Sequence, residues 1–218
     1  QANERMFFES FIYNYSVGIL WSTDISDLPN PFTFFKEMNH LLRCPIYHCE
    51  LEWMNNPILG AAAAGFEILA KVSYITRLPM PLPAGSIWIK RCHKLSTMSQ
   101  FYTSPVIPRT GDKNSKINES CLLNVYLGKI IAKVCYLLLC KIIGYETYKI
   151  NESQAIVDEI MEILEKIPER NLMWGILLWP IIVVGIFVIK PTHQMKIMKY
   201  LNNIGEMLHN LSILNANL

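Results

Sequence analysis

An all-α fold, a single domain of about eight or nine helices, is what this sequence predicts, and three observations predict it. Over 218 residues the chain is 51% hydrophobic and only 17% charged, which supplies apolar surface for a large buried core. Apolar residues recur at spacings of three and four in segment after segment, while no run alternates with a period of two between hairpin turns. Residues 172–189 carry no charged side chain at all. Such a run is solvated either by the protein's own core or by a bilayer. At about 1.5 Å per residue it only just reaches the ~30 Å of a hydrocarbon layer. Pro180 at its centre removes a backbone hydrogen bond, a defect that packed neighbours tolerate better than lipid. The run is therefore expected to be a core helix, with a membrane-associated helical protein as the alternative.

The elements follow in order. Residues 4–21 place Phe8, Phe11, Ile12, Tyr15 and Ile19 on one helical face. Asp27 and Pro29 break that pattern, and Asn30 with Pro31 starts a second helix carrying Phe34, Phe35, Met38, Leu41 and Leu42. Asn56 and Pro57 repeat the start signal for a third helix, running to about Arg77. Within it Gly60 and Ala64, and Ala61 and Gly65, lie four apart, so another helix can approach closely and this helix should be central. Pro79, Pro81 and Pro83 form a stiff connection to a shorter helix marked by Trp88, Ile89, Cys92 and Leu95. Residues 103–120 turn polar and predict an exposed loop; residues 121–147 return to helix. Asn151 or Ser153 should cap the next helix, which sets Ile156, Ile160, Ile163, Leu164 and Ile167 against Glu159, Glu162 and Glu165. After the uncharged run Pro191 restarts the chain. Ile197, Leu201, Ile204, Leu208 and Leu211 then alternate by four and three, a seam expected to pack on the core.

A net charge of +2 exerts no strong pull toward nucleic acid or anionic lipid, so neither DNA nor a membrane is an expected partner of this segment. The six cysteines are expected as reduced thiols. The sequence has no glycine-rich phosphate loop, Gly-x-Ser-x-Gly elbow or His-Glu-x-x-His pair, and no enzymatic activity is expected. His40, Cys44 and His48 are four apart, but Pro45 interrupts their helix, and no metal site or cofactor is expected. Two groups stand as ligand-binding candidates. Glu67 and Arg77 offer opposite charges to a zwitterionic or carboxylate ligand. Phe11 and Tyr15, Tyr126 on the helix over 122–143, and Trp179 in the uncharged run would line a cavity, their polar tips orienting a small metabolite beside the carbonyl freed by Pro180. The chain opens on Gln1 without a charged-then-apolar leader and is expected to be a piece of a longer protein.

Three stretches together carry a resemblance. They are Asn56-Pro57-Ile58-Leu59-Gly60 opening a helix that ends Tyr74-Ile75-Thr76-Arg77-Leu78, the Leu178-Trp179-Pro180-Ile181-Ile182-Val183-Val184-Gly185 run, and the amphipathic helix after it. The chain resembles, over nearly its whole length, the fungal-specific transcription factor domain, the all-helical regulatory region of zinc-cluster activators. Its nearest likeness there is to regulators of amino-acid biosynthesis of the lysine-pathway type. The resemblance implies a nuclear regulator that answers to a small-molecule effector, engages the transcription machinery and forms a homodimer. It places DNA binding, and the zinc that DNA binding needs, in a separate N-terminal motif, because no Cys-x-x-Cys pair occurs here. A ligand-free interaction module remains the other non-enzymatic reading.

Overall fold

The structure, a computed structural model, describes residues 2–47, 49, 51–107, 115–144, 150–169 and 171–216, with the side chains of 115–118, 150 and 210–216 outside the description. Among the described residues it is all-α, with eight α-helices and three short 3₁₀ turns. The chain divides into two compact units, Gln1–Tyr145 and Glu146–Leu218.

The first unit holds α1 (Ala2–Trp21), α2 (Pro31–Arg43), α3 (Ala63–Thr76), α4 (Ile87–Gln100) and α5 (Ser115–Ile143). α3 packs against α1, α2, α4 and α5, the central place that its small residues predict. The reason is visible at its crossing with α5. A Cβ added to Gly65 would lie 3.4 Å from Gly128 Cα, so the two backbones meet with no side chain between them. Gly60 faces the same helix, where an added Cβ would stand 2.9 Å from Asn124 Oδ1, and its φ of +50° suits glycine. The hydroxyl of Tyr102 closes the crossing by donating to Ala61 O at 3.3 Å; burial pushes its pKa up to about 12.

Asn30 caps α2 as expected, its side chain accepting from the Phe32 amide at 3.0 Å. The Asn56-Pro57 signal works differently. α3 starts only at Ala63, and residues 57–62 form turns and a 3₁₀ segment, because the Asn56 side chain is engaged elsewhere and Gly60 takes a left-handed conformation. α5 begins at Ser115, so the polar stretch 103–120 is a shorter connection than predicted; Gly111 to Asn114 lie outside the described residues. All six cysteines are free thiols, and burial pushes Cys92 up to about 11.

The second unit holds α6 (Ile150–Leu164), α7 (Met173–Phe187) and α8 (Pro191–Ala216). α6 buries Val157, Ile160, Met161, Ile163 and Leu164 and exposes Glu159 and Glu162, as its periodicity predicts. Asn151 and Ser153 sit inside this helix and do not cap it, because α6 starts before them. The uncharged run forms α7 with Pro180 inside, burying Leu177, Trp179, Ile181 and Val184. It is a helix of 15 residues, or about 22 Å, short of a hydrocarbon layer. One described segment, Glu119–Ile143, is long and apolar enough to cross a membrane, and the residues along it that are buried in the protein include Ile130, Ile131, Leu137 and Leu139.

α7 and α8 pack together. A Cβ on Gly185 would touch Ile197 Cγ2 at 3.4 Å, and the Trp174 and Tyr200 rings stack at 4.8 Å. Ile197 and Ile204 of the predicted seam are buried while Leu208 is 43% exposed; the Leu211 side chain lies outside the description. Gln154 ties off the end of α7 by donating to Phe187 O at 2.7 Å and accepting from Ile189 N at 3.3 Å. Three exposed ion pairs join α8 and the residue before it to α6 and the turn after it: Lys190–Asp158, Lys196–Glu165 and Lys199–Glu169.

Candidate functional site

The site begins with a buried ion pair that the aromatic pattern of α1 conceals. Arg5 and Glu9 lie four apart, on a face continued by Ile12, Ser16 and Ile19, and they are 5% and 0% exposed. Burying two charges is costly unless every donor and acceptor finds a partner. Here the partners come from three separate segments. Arg5 Nε donates to Glu9 Oε1 at 2.8 Å, and its terminal nitrogens donate to the carbonyls of Leu41 and Leu42 at the end of α2. Its Nη2 also donates to Asn56 Oδ1 at 2.8 Å. Glu9 Oε2 accepts the Ile58 and Leu59 amides, both at 2.9 Å. The pair thereby satisfies two orphan carbonyls of a helix end and two amides of the turn before α3.

Asn55 performs a similar task next door. Its Oδ1 accepts from the Ile46 and Tyr47 amides at 2.9 and 2.8 Å, holding the segment after α2 against the 3₁₀ turn Glu52–Asn55. The Trp53 indole donates to Val106 O at 3.0 Å and fixes the approach of Pro105. These joints shape a cleft of about 330 Å³. Its floor is Gly60, Ala61, Ala63 and Ala64, its walls are Leu42, Trp53 and Pro105, and its polar lining is Asn39, Arg43, Glu52, Asn56 and Glu67. A second cleft of about 400 Å³ reaches the ion pair at Arg5 and is lined by Phe8, Leu41, Pro45 and Ile46 with Glu4 and Cys44.

The structure brings one sequence-predicted ligand residue into the first cleft. Glu67 lines it, paired with Lys71 and accepting from Asn39 Nδ2 at 3.1 Å. Arg77 is elsewhere: its guanidinium donates to Ser22 O at 2.5 Å and Thr23 O at 3.4 Å, where it ties down the end of α1. Phe11 is 47% exposed and stacks on Tyr15, their centroids 5.7 Å apart, with Phe34 against both. Tyr15 is buried and donates its hydroxyl to Pro29 O, and burial together with nearby Tyr74 raises its pKa. Tyr126 is half-buried on α5. Trp179, buried in α7, belongs to the second unit. His48 of the His40 and Cys44 series lies outside the described residues.

Arg5, Glu9, Asn55 and Arg43 escaped the sequence reading. For the ion pair a signal existed, since Arg5, Glu9, Ile12, Ser16 and Ile19 form one continuous stripe at helical spacing.

With this architecture in view, a family model, fungal specific transcription factor domain, matches residues 87–216, from the first residue of α4 to the last of α8. The chain belongs to that family. No curated protein and no solved structure matches it. Membership assigns a regulatory role in a fungal transcription factor, implies a non-enzymatic protein and suggests a nuclear one. The Trp179 run and the helix after it fall within the matched stretch; the Asn56-to-Leu78 piece precedes it. So do the residues that line the cleft, apart from Pro105.

Proposed function

We propose that this domain is a metabolite-responsive regulator of an activator of amino-acid biosynthesis, working in the nucleus with the cleft between α2 and α3 as its effector site. The carrying observation is that cleft: about 330 Å³, with a floor of glycine and alanine and a rim of both charge signs, held open by a buried ion pair. Its size suits a small metabolite. An occupant would touch the end of α2, the Glu52–Asn55 turn and the start of α3 at once, and so stabilise the arrangement of the first unit. DNA is reached through a separate zinc-cluster motif, and the transcription machinery and a second copy are the expected protein partners. The test is a thermal-shift screen of amino-acid pathway intermediates against the 218-residue chain, with Ala64→Leu as the control that fills the floor. Ala64 is exposed and helical, so the variant should fold normally. A compound that raises the melting temperature of the parent but not of the variant supports the proposal. No shift with any intermediate, or a shift that survives Ala64→Leu, overturns it.

A further inference from the structure

Arg43 and Glu52 line the same cleft with opposite charges, both are exposed, and neither side chain makes an ion pair or hydrogen bond among the described residues. This contrasts with the other carboxylate of the cleft. Glu67 has both oxygens engaged, one by Lys71 and one by Asn39, and so serves as wall. Opposite charges in one concavity, each attached to a segment fixed by buried hydrogen bonds, would pair if they could reach. Arg43 ends α2, whose last carbonyls are clamped by Arg5, while Glu52 opens the turn that Asn55 ties to residues 46 and 47. In this arrangement they form no ion pair with each other, and Gly60, Ala61 and Ala64 line the same cleft.

We infer that the effector of this cleft is a small zwitterion of the amino-acid class, its carboxylate on the Arg43 guanidinium and its ammonium on the Glu52 carboxylate. The inference rests on the reading of the cleft as an effector site. A guanidinium presents a planar fork to a carboxylate, and an ammonium offers three donors to Glu52 with the Trp53 ring alongside. A molecule with one charge would leave the opposite residue as it is in the empty cleft and gain only half of the contacts. The floor of Gly60, Ala61 and Ala64 leaves room for the methylenes between the two ends.

The experiment is isothermal titration calorimetry of the 218-residue chain with ω-amino acids from glycine to 6-aminohexanoate, alongside pentylamine and hexanoate as single-charge probes. One ω-amino acid should bind, the single-charge probes should bind at least about tenfold more weakly, and Arg43→Gln and Glu52→Gln should each weaken the zwitterion by at least about tenfold. Both side chains are exposed and make no ion pair among the described residues, so the variants should melt with the parent, which separates lost binding from lost folding. Equal binding of pentylamine or hexanoate, or zwitterion binding unchanged in either variant, overturns the inference. If no ω-amino acid binds while an intermediate that lacks either the carboxylate or the ammonium still gives the Ala64-sensitive shift, the zwitterion class is wrong and the effector site stands. If neither binds, both fall.

Discussion

The two units bury similar helices by opposite means. In the first, polar groups go inside: the Arg5–Glu9 pair, the Ser16 hydroxyl donating to Ile12 O at 2.7 Å, and the Tyr102 hydroxyl at the α3–α5 crossing. In the second, α7 is uncharged throughout and the ion pairs are displaced to the surface between α6 and α8. The difference teaches what charge is used for in each. A buried pair has directional demands that can be met only if three segments stand in one arrangement, so it determines geometry. An exposed pair is screened by water, adds little and constrains little. Two clefts lie beside the segments that the buried pair joins, whereas the concavity on α8, with Lys199 and Glu206 in its lining, sits on the face that carries exposed charge.

The sharpest way to break this contrast is Glu9→Ala, which leaves Arg5 buried without its counter-ion and strips the Ile58 and Leu59 amides of their acceptor. A loss of about 3–5 kcal/mol in urea unfolding is expected. The double change of Arg5 and Glu9 to Met removes the buried charges but still strands the Leu41 and Leu42 carbonyls and the Ile58 and Leu59 amides, so a large loss should remain; a double variant as stable as the parent would show that the pair does not determine the geometry. Next in size, Gly65→Leu forces a side chain between α3 and α5 and should cost about 1–3 kcal/mol by overpacking, measured the same way. A melting temperature equal to the parent's would mean that the crossing is loose.

In the second unit Gln154→Ala removes the two hydrogen bonds that end α7, with an expected loss of about 1 kcal/mol. The smallest effect is electrostatic. The hydrogen bond and charge of Lys196 hold the Glu165 carboxyl below its ordinary pKa. The folded state therefore binds this proton less readily than the unfolded state. Its contribution is full above the ordinary carboxylate pKa and disappears as pH falls through the lowered value. Lys196→Ala should lower the melting temperature slightly at neutral pH and leave it unchanged once the pH is below the lowered pKa, which flattens the profile between; a profile of unaltered shape would show the pair to be silent.

Helix identities were legible because each amphipathic segment repeats at three and four, and both the Asn30-Pro31 cap and the central place of α3 follow from local chemistry. Boundaries were less so. Asn56 reads as a helix cap, since its side chain and the following proline suit one, yet a guanidinium more than fifty residues upstream takes that side chain instead. The site was only partly legible for the same reason. Glu67 reaches the cleft, but Arg77, expected as its opposite charge, is drawn to the carbonyls of Ser22 and Thr23, and Arg43 lines the cleft in its stead.

By itself the sequence determined the all-helical class, the close approach at Gly60 and Gly65, the embedding of Trp179 in a core helix and, through residues 87–216, the family. These rest on composition, spacing and residue size, which are properties of short stretches. Only the tertiary structure decided which charges meet. Arg5 finds Glu9 one turn away but also Leu41, Leu42 and Asn56, while Arg43 and Glu52 line one cleft without forming an ion pair. Hydrogen bonding between distant segments depends on a few ångströms of placement that helical periodicity does not encode.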